Sequence, residues 1–489
     1  MNPELKRNFL IEITGQRLLA MPLILGLIFA AAWALEDSKG LITTTEVLFW
    51  VLVFLWGTRK AAGAFDSEMA NNTWDSQRLS ALTAGQIFVG KLFGSTSFVL
   101  YGALLSLLVN VAARFDLYVT SLDDADIIRG RTVVLDPGEI IWSAGHDLLV
   151  GLLGLVVAMF VAVVLMARTR SSKGISVTLC QLFAIGVAGV FADRIGNVGL
   201  AGFSRGLTHD NFLNAEWYGL SIPIIGFITA SLLIYLAWTV LGTVRQLRSV
   251  LQFRGYRWAW PLFVLFVGAY LAGFDTLYQH TQTFGNQAFL FLTVFWMVAV
   301  TFTYLAVFSE TKSLQGYRSY ITAARRLRFS EIMQHQPFWL TSLIILVITL
   351  ILNLALGEAQ VGIRHEMDSD LGNFLGLGSA APDLQTWLVL ASLFLVRDCL
   401  LVMALNFTPN RRRADLAALI YLAVLYVIVP LLLHGINLDQ TLLMKFFVPQ
   451  VGGGLIASVW PIALEVAVVA ILMMLRWRTV RQPVAADIA

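Results

Sequence analysis

The sequence predicts an all-α, polytopic membrane protein, and three observations carry that prediction. Of its 489 residues 58% are hydrophobic and only 13% are charged, both far from the values of ordinary soluble domains. Nearly uncharged windows of about 20 residues recur along the whole chain, each long enough to cross roughly 30 Å of hydrocarbon as a helix. The connections between them are short and several carry clustered arginines, as segments at a membrane surface do.

About twelve windows qualify: residues 17–35, 45–62, 92–114, 147–167, 174–192, 218–241, 258–274, 287–308, 337–357, 385–406, 416–434 and 457–475. If the N-terminus is cytoplasmic, the connections on that side hold most of the 34 Lys and Arg residues. The deciding clusters are Arg168, Arg170 and Lys173; Arg245, Arg248, Arg254 and Arg257; Arg325, Arg326 and Arg328; Arg411–Arg413; and Arg476, Arg478 and Arg481. The expected location is the plasma (inner) membrane with both termini cytoplasmic. The net charge of +3 follows from this asymmetry and does not point to nucleic acid.

Ahead of the first window, "MNPELKRNFLIEITGQR" is polar and amphipathic. It reads as a helix over 3–16 lying along the inner membrane face rather than a cleavable signal. The two cysteines, Cys180 and Cys399, sit in apolar runs and suggest neither a disulfide framework nor a metal site. His146, His209, His280 and His365 have no zinc-ligand spacing. No metal or cofactor is expected on this chain.

Short matches recur at an offset of about 240 residues. Gly15, Arg17 and Pro22 return as Gly255, Arg257 and Pro261, and Glu68 returns as Glu310. Their common order predicts two six-helix halves, residues 1–243 and 244–489, related by parallel duplication. In each half the longest cytoplasmic connection follows the second window, at 63–91 and 309–336. Each is too short for a nucleotide-binding domain and suits a helical hairpin beneath the membrane. On the outer side, Asp136-Pro137 is a helix start with Asp as cap. "TLLMKFFVPQVGGGLIASVW", interrupted by Pro449 and three glycines, predicts a re-entrant element.

"AGQIFVGKLFG" (84–94) almost completes the phosphate-loop pattern, with Gly85, Gly90 and Lys91 in place. A phosphate loop also needs a preceding strand, a bare backbone turn and Ser or Thr after the lysine. Here Leu92 follows, and Ile87, Phe88 and Val89 suit a helix entering lipid, so ATP is not expected to bind here.

In its longer context, "EMANNTWDSQRLSALTAGQIFVGKLFG", the stretch resembles the signature of type-2 ABC transporter permeases. In that family an acidic residue leads through Gly-Thr-x-Glu and a Leu-rich turn to a Gly-Lys that opens the third span. Glu68, Thr73, Asp75, Leu79, Gly90 and Lys91 fall on the pattern. Asn72 replaces the usual Gly, and Ala81 stands where Pro is common. In the second half only Glu310, with Thr311, matches. The resemblance implies that 66–82 is a coupling helix docking into a separate ABC ATPase, expected in two copies, which binds ATP and Mg. Glu68, Asp75 and Arg78 would contact that ATPase or stiffen the hairpin, and Lys91 would snorkel to the headgroups. The chain itself would be a transport subunit, not an enzyme, exporting a hydrophobic or amphipathic substrate between its halves.

Two other classes leave traces. "GVFADRIGN" places Gly189, Asp193, Arg194 and Gly196 on the loop signature of the major facilitator superfamily, but after the fifth window and on the outer side, where a helix end with a local ion pair is the simpler reading. Asp123, Asp124 and Asp126 could be the outer-loop acids of a polytopic glycosyltransferase, yet they follow the third window rather than the first. Within the windows, charge is sparse: Arg397, Asp398 and Glu465 are the candidates for the translocation pathway. Neighbours on a helix diverge by about 100°, so Arg397 and Asp398 are expected to find partners on other spans.

Overall fold

A computed structural model describes residues 2–71, 73–80, 82–123, 137–168, 176–192, 214–253, 255, 257–274, 284–310, 312–356, 384–407, 414–436, 442–450 and 455–481. The chain packs into two compact units, Met1–Gly255 and Tyr256–Ala489. The protein is an all-α polytopic membrane protein: among the described residues nine helices are long and apolar enough to cross a bilayer, and Val177–Ala192 and Ala259–Ala272 are shorter apolar helices. Several sequence readings lie outside the described residues: Asp124, Asp126, Asp136, Arg170, Lys173, Asp193, Arg194, Gly196, His209, Arg254, His280, Thr311, His365, Arg411–Arg413 and the 452–454 glycines.

The first unit opens with α1 (Pro3–Glu12), shorter than the expected 3–16 and capped by Asn2, whose side chain accepts the Glu4 N–H. The predicted windows 17–35 and 45–62 lie in one continuous run, α2 (Gly15–Trp50), a π segment (Val51–Gly57) and α3 (Thr58–Ala70). The run folds back at Glu36 and Asp37, where Asp37 takes a φ of 51°. Packing demonstrates the reversal: a Cβ at Gly102 would lie 2.7 Å from Met21 and 3.3 Å from Leu52, residues that a straight helix would separate by roughly 45 Å. Gly40 is required beside this reversal, because its Cβ would come 2.9 Å from the Ala32 carbonyl.

After a short α4 (Trp74–Arg78) the chain re-enters as α5 (Ala84–Ser95) and α6 (Ser97–Asp123). The predicted window 92–114 therefore straddles a break at Thr96. Helix α7 is described from Pro137 to Arg168, the expected Asp136 cap lying outside the described residues; α8 is Val177–Ala192. The window predicted from 218 instead starts with a hairpin, β1 (Asn214–Trp217) against β2 (Leu220–Pro223), and α9 follows over Ile224–Val250. Positive φ at both Tyr218 (51°) and Gly219 (71°) gives the tight reversal that a two-residue hairpin needs.

The second unit contains α10 (Ala259–Ala272), α11 (Phe284–Ser309), the hairpin helices α12 (Leu314–Arg325) and α13 (Phe329–His335), α14 (Phe338–Ala355) and α15 (Leu384–Asn406). It closes with α16 (Ala414–Ala423), a π segment (Val424–Ile428), α17 (Val429–Gly435), a 3-10 turn (Leu442–Phe446) and α18 (Leu455–Arg481). Helices α7 and α15 are the central columns of their units: 61% of the most apolar window of each is buried, against 11% to 33% for the other long helices.

Candidate functional site

The stretch that mimics a phosphate loop is one helix. Thr83 caps α5 through a reciprocal capping box with Gln86, and the N–H groups beyond the first turn are spent inside the helix, leaving no open nest for phosphate. Its two glycines have different surroundings. A Cβ at Gly85 would meet nothing within 4 Å, whereas one at Gly90 would lie 2.6 Å from Glu4 Cγ and 2.9 Å from the Leu5 backbone nitrogen. At Gly94 it would lie 2.6 Å from Asn8 Cβ. Gly90 and Gly94, one turn apart, form the track on which α1 lies, as small residues do at close helix crossings.

Lys91 does not snorkel to a headgroup. Its side chain is 1% exposed, with Nζ 2.6 Å from Glu68 Oε2 and 3.5 Å from Glu4 Oε1. It also lies 5.1 Å from the centre of the Phe65 ring. The α5 face that carries Lys91 also carries Ile87 and Phe88, which pack into a core with Phe65 and Met159, so the lysine is drawn inward and neutralised there. Burial lowers the pKa of the Lys91 ammonium from the usual lysine value, and the Glu68 and Glu4 carboxylates oppose that shift.

Glu68 is the hub of the site. Its Oε1 accepts from Arg7 Nη2 at 3.0 Å and from Gln77 Nε2, and Arg7 Nη2 also reaches Glu4 Oε1 at 2.8 Å. Gln77 Nε2 lies 3.4 Å from Glu4 Oε1, and Asn8 Nδ2 donates to the same oxygen at 3.0 Å. Two carboxylates, one ammonium and one guanidinium thus balance in charge, which a buried cluster requires. Thr73 closes the turn after α3, its N–H donating to the Glu68 carbonyl at 3.0 Å. Asp75 lies on α4, its side chain outside the described residues. Arg78 ends α4 half-buried, and Leu79 at the tip is 89% exposed. The structure therefore gathers Glu68, Gly90 and Lys91, with Gln77 of α4, around one buried site and leaves Leu79, just after α4, exposed. Glu4, Arg7 and Gln77 escaped the sequence reading. The available signal was the polar face Glu4–Asn8–Glu12, spaced by four residues within an amphipathic segment.

Replacing Gly90 with alanine is expected to lift α1 from α5 at a cost of about 1–3 kcal/mol. Trypsin cleavage after Lys6 or Arg7 would report the release. Gly85→Ala, with open space around it, is expected to be neutral or to stabilise the helix by up to about 1 kcal/mol. Equal cleavage of the two variants would contradict the packing.

In the second unit, Glu310 pairs with Arg257 Nη1 and accepts the Phe338 N–H at 2.9 Å, at the start of α14. Burial raises the Glu310 carboxyl above its ordinary value, with Arg257 opposing. Arg257 also donates to the Gln336 carbonyl at 3.2 Å. The base of this hairpin is thus tied by an arginine on Glu310, with the buried Lys312 pairing instead with Asp415 at 2.7 Å, and Leu327 and Phe329, 72% and 76% exposed, stand near its turn.

The pathway candidates also converge. Arg397 Nη2 lies 2.9 Å from Asp398 Oδ1, and Nη1 lies 2.7 Å from Glu465 Oε2. Arg397 and Asp398 therefore do pair with each other, contrary to expectation: the guanidinium is long enough to curl back across the 100° between neighbours. They also find the expected partners elsewhere. Tyr304 and Tyr426 each donate to Asp398 Oδ2 at 2.7 Å, and Arg397 donates to the Phe446 carbonyl at 3.1 Å. Tyr426 lies in the π segment interrupting α16 and α17, a distortion that often marks a working position. Neither tyrosine was singled out in the sequence, where each is one aromatic among many in an apolar run.

Among the described residues no group of three or more His, Cys, Asp or Glu side chains could hold a metal ion. Comparison with protein-family models, curated proteins and solved structures finds no match.

Proposed function

We propose that this protein is the membrane-spanning permease subunit of an ATP-driven exporter, of the type-2 ABC kind. It would form the substrate pathway while a separate ATPase, present in two copies, binds ATP and Mg. The observation that carries the reading is the 63–91 hairpin: its two arms are braced by Glu68 and Lys91, and its turn leaves an apolar side chain, Leu79, exposed. A coupling element needs this combination, because a stiff base converts movement of the docked tip into tilt of the attached spans. The Glu310 hairpin is tied differently, by Arg257 on Glu310 and by Lys312 on Asp415, in keeping with two duplicated halves whose ATPase contacts differ. On this reading both hairpins and both termini are cytoplasmic, in the plasma (inner) membrane, and the substrate is hydrophobic or amphipathic.

Both cysteines of the chain, Cys180 and Cys399, are buried, so Leu79→Cys introduces the single exposed thiol. A short thiol-reactive cross-linker applied to membranes is expected to join it to an ATP-binding protein of another gene. Absence of such an adduct, with transport that collapses with the proton gradient, would overturn the reading. That outcome would favour an ion-coupled carrier, a second reading motivated by the buried Arg397–Asp398–Glu465 cluster.

A further inference from the structure

Helix α1 is built inside out relative to a helix on a soluble protein. Its polar residues Glu4, Asn8 and Glu12 face the protein, where Glu4 is 4% exposed and Glu12 Oε1 takes Lys60 Nζ at 2.7 Å. Its apolar residues face away: Phe9, Leu10 and Ile11 are 43%, 62% and 62% exposed. An apolar outer face is the mark of a helix lying in the acyl–headgroup boundary of a bilayer. Helix α1 carries the exposed Lys6 and the half-exposed Arg7, with the half-exposed Arg17 following it, and Arg59, next in sequence to the Lys60 that pairs with Glu12, is exposed as well. The acidic residues of α1 are turned inward and paired, so the face offered to the membrane is apolar and positive.

We propose that α1 is a lever that reads anionic lipid. Phe9, Leu10 and Ile11 enter the leaflet, Lys6 and Arg59 meet anionic phospholipid headgroups, and the internal ion pairs carry that anchorage to the hairpin. The linkage is physical at both ends of α1. Asn2 Nδ2 donates to the Gln86 carbonyl at 2.6 Å, and Glu4 shares Arg7, Gln77 and Lys91 with Glu68. Glu12 joins Lys60 of α3 and Arg17 of α2. A load on α1 therefore cannot be absorbed by α1 alone; it reaches α3 and α5 through ion pairs and α4 through the Gln77 amide on the Glu4 and Glu68 carboxylates. Only the consequence for transport rests on the coupling role proposed above, since the lever needs no ATPase to operate.

The test is amide hydrogen exchange on the full-length protein in nanodiscs of phosphatidylcholine alone or of phosphatidylcholine with phosphatidylglycerol. Anionic discs are expected to slow exchange severalfold in both 3–12 and 64–80, while α15 stays unchanged. Lys6→Gln with Arg59→Gln should abolish the difference between the discs, and Phe9→Ser with Leu10→Ser should speed exchange of both segments in either lipid. A response of 3–12 without one in 64–80 overturns the lever, and no response to lipid charge overturns the anionic partner. The wild-type comparison stands even if a variant fails to fold, and it can fail independently of the cross-link at position 79.

Discussion

Replacing Arg397 with methionine is expected to destabilise the second unit by about 3–5 kcal/mol, the usual cost of removing one partner from a buried ion pair. The arginine side chain is 3% exposed, Asp398 is 1% exposed and Glu465 is 23% exposed. Methionine fills much of the volume but leaves two carboxylates facing each other among apolar helices, where there is little water to screen them. The Phe446 carbonyl loses its donor as well. Yield of monodisperse protein in mild detergent, and its melting temperature, report the loss. The triple variant Arg397→Met, Asp398→Asn, Glu465→Gln should recover most of the stability, because no buried carboxylate is left without a counter-charge and the amide oxygen at position 398 can still accept from Tyr304 and Tyr426. Wild-type stability of Arg397→Met alone would contradict the cluster. A triple variant that folds but no longer transports would place these residues on the substrate path, and one that folds and transports would leave them a structural role.

Lys91→Met is expected to have a comparable effect, about 3–5 kcal/mol, centred on the N-terminal helix. The lysine is the charge between Glu4 and Glu68, whose side chains are 4% and 9% exposed. Arg7 also reaches both, but its side chain is 51% exposed, so water screens it and it cannot replace the lost ammonium. Helix α1 should detach, seen as rapid tryptic cleavage after Lys6 and Arg7 before any global unfolding. Adding Glu4→Gln and Glu68→Gln to Lys91→Met should restore protection. If Lys91→Met kept α1 protected, the lysine would be a bystander to that docking.

The sequence made legible what depends on composition and spacing. Apolar windows long enough to span a bilayer must be helical, because backbone polar groups have no other partners in hydrocarbon; among the described residues nine helices are long and apolar enough to cross, and the windows at 174–192 and 258–274 fall on shorter apolar helices. The ends moved where local backbone chemistry intervenes: at 214–223 the Tyr218–Gly219 turn permits a β-hairpin, and at Thr96 the chain breaks between α5 and α6. Glu68 and Lys91 could be singled out because they fall on the permease-like pattern, and Glu310 because it repeats Glu68 at an offset of about 240 residues. Their roles could not. Lys91 reads as a headgroup anchor until Gly90 and Gly94 bring α1 close enough to bury it.

From composition and periodicity alone, the chain determined that it is helical, lies in a membrane and carries a short connection after the second apolar window. Those properties follow from solvation free energy, which sums over residues and needs no knowledge of neighbours. Only the tertiary structure decided that Glu4, Glu68 and Lys91 share one buried site and that Arg397 holds Asp398, Glu465 and the Phe446 carbonyl. A charge far from its partner in sequence shows only its type. Whether it anchors, braces or destabilises is set by the distance to the opposite charge and by the water excluded between them.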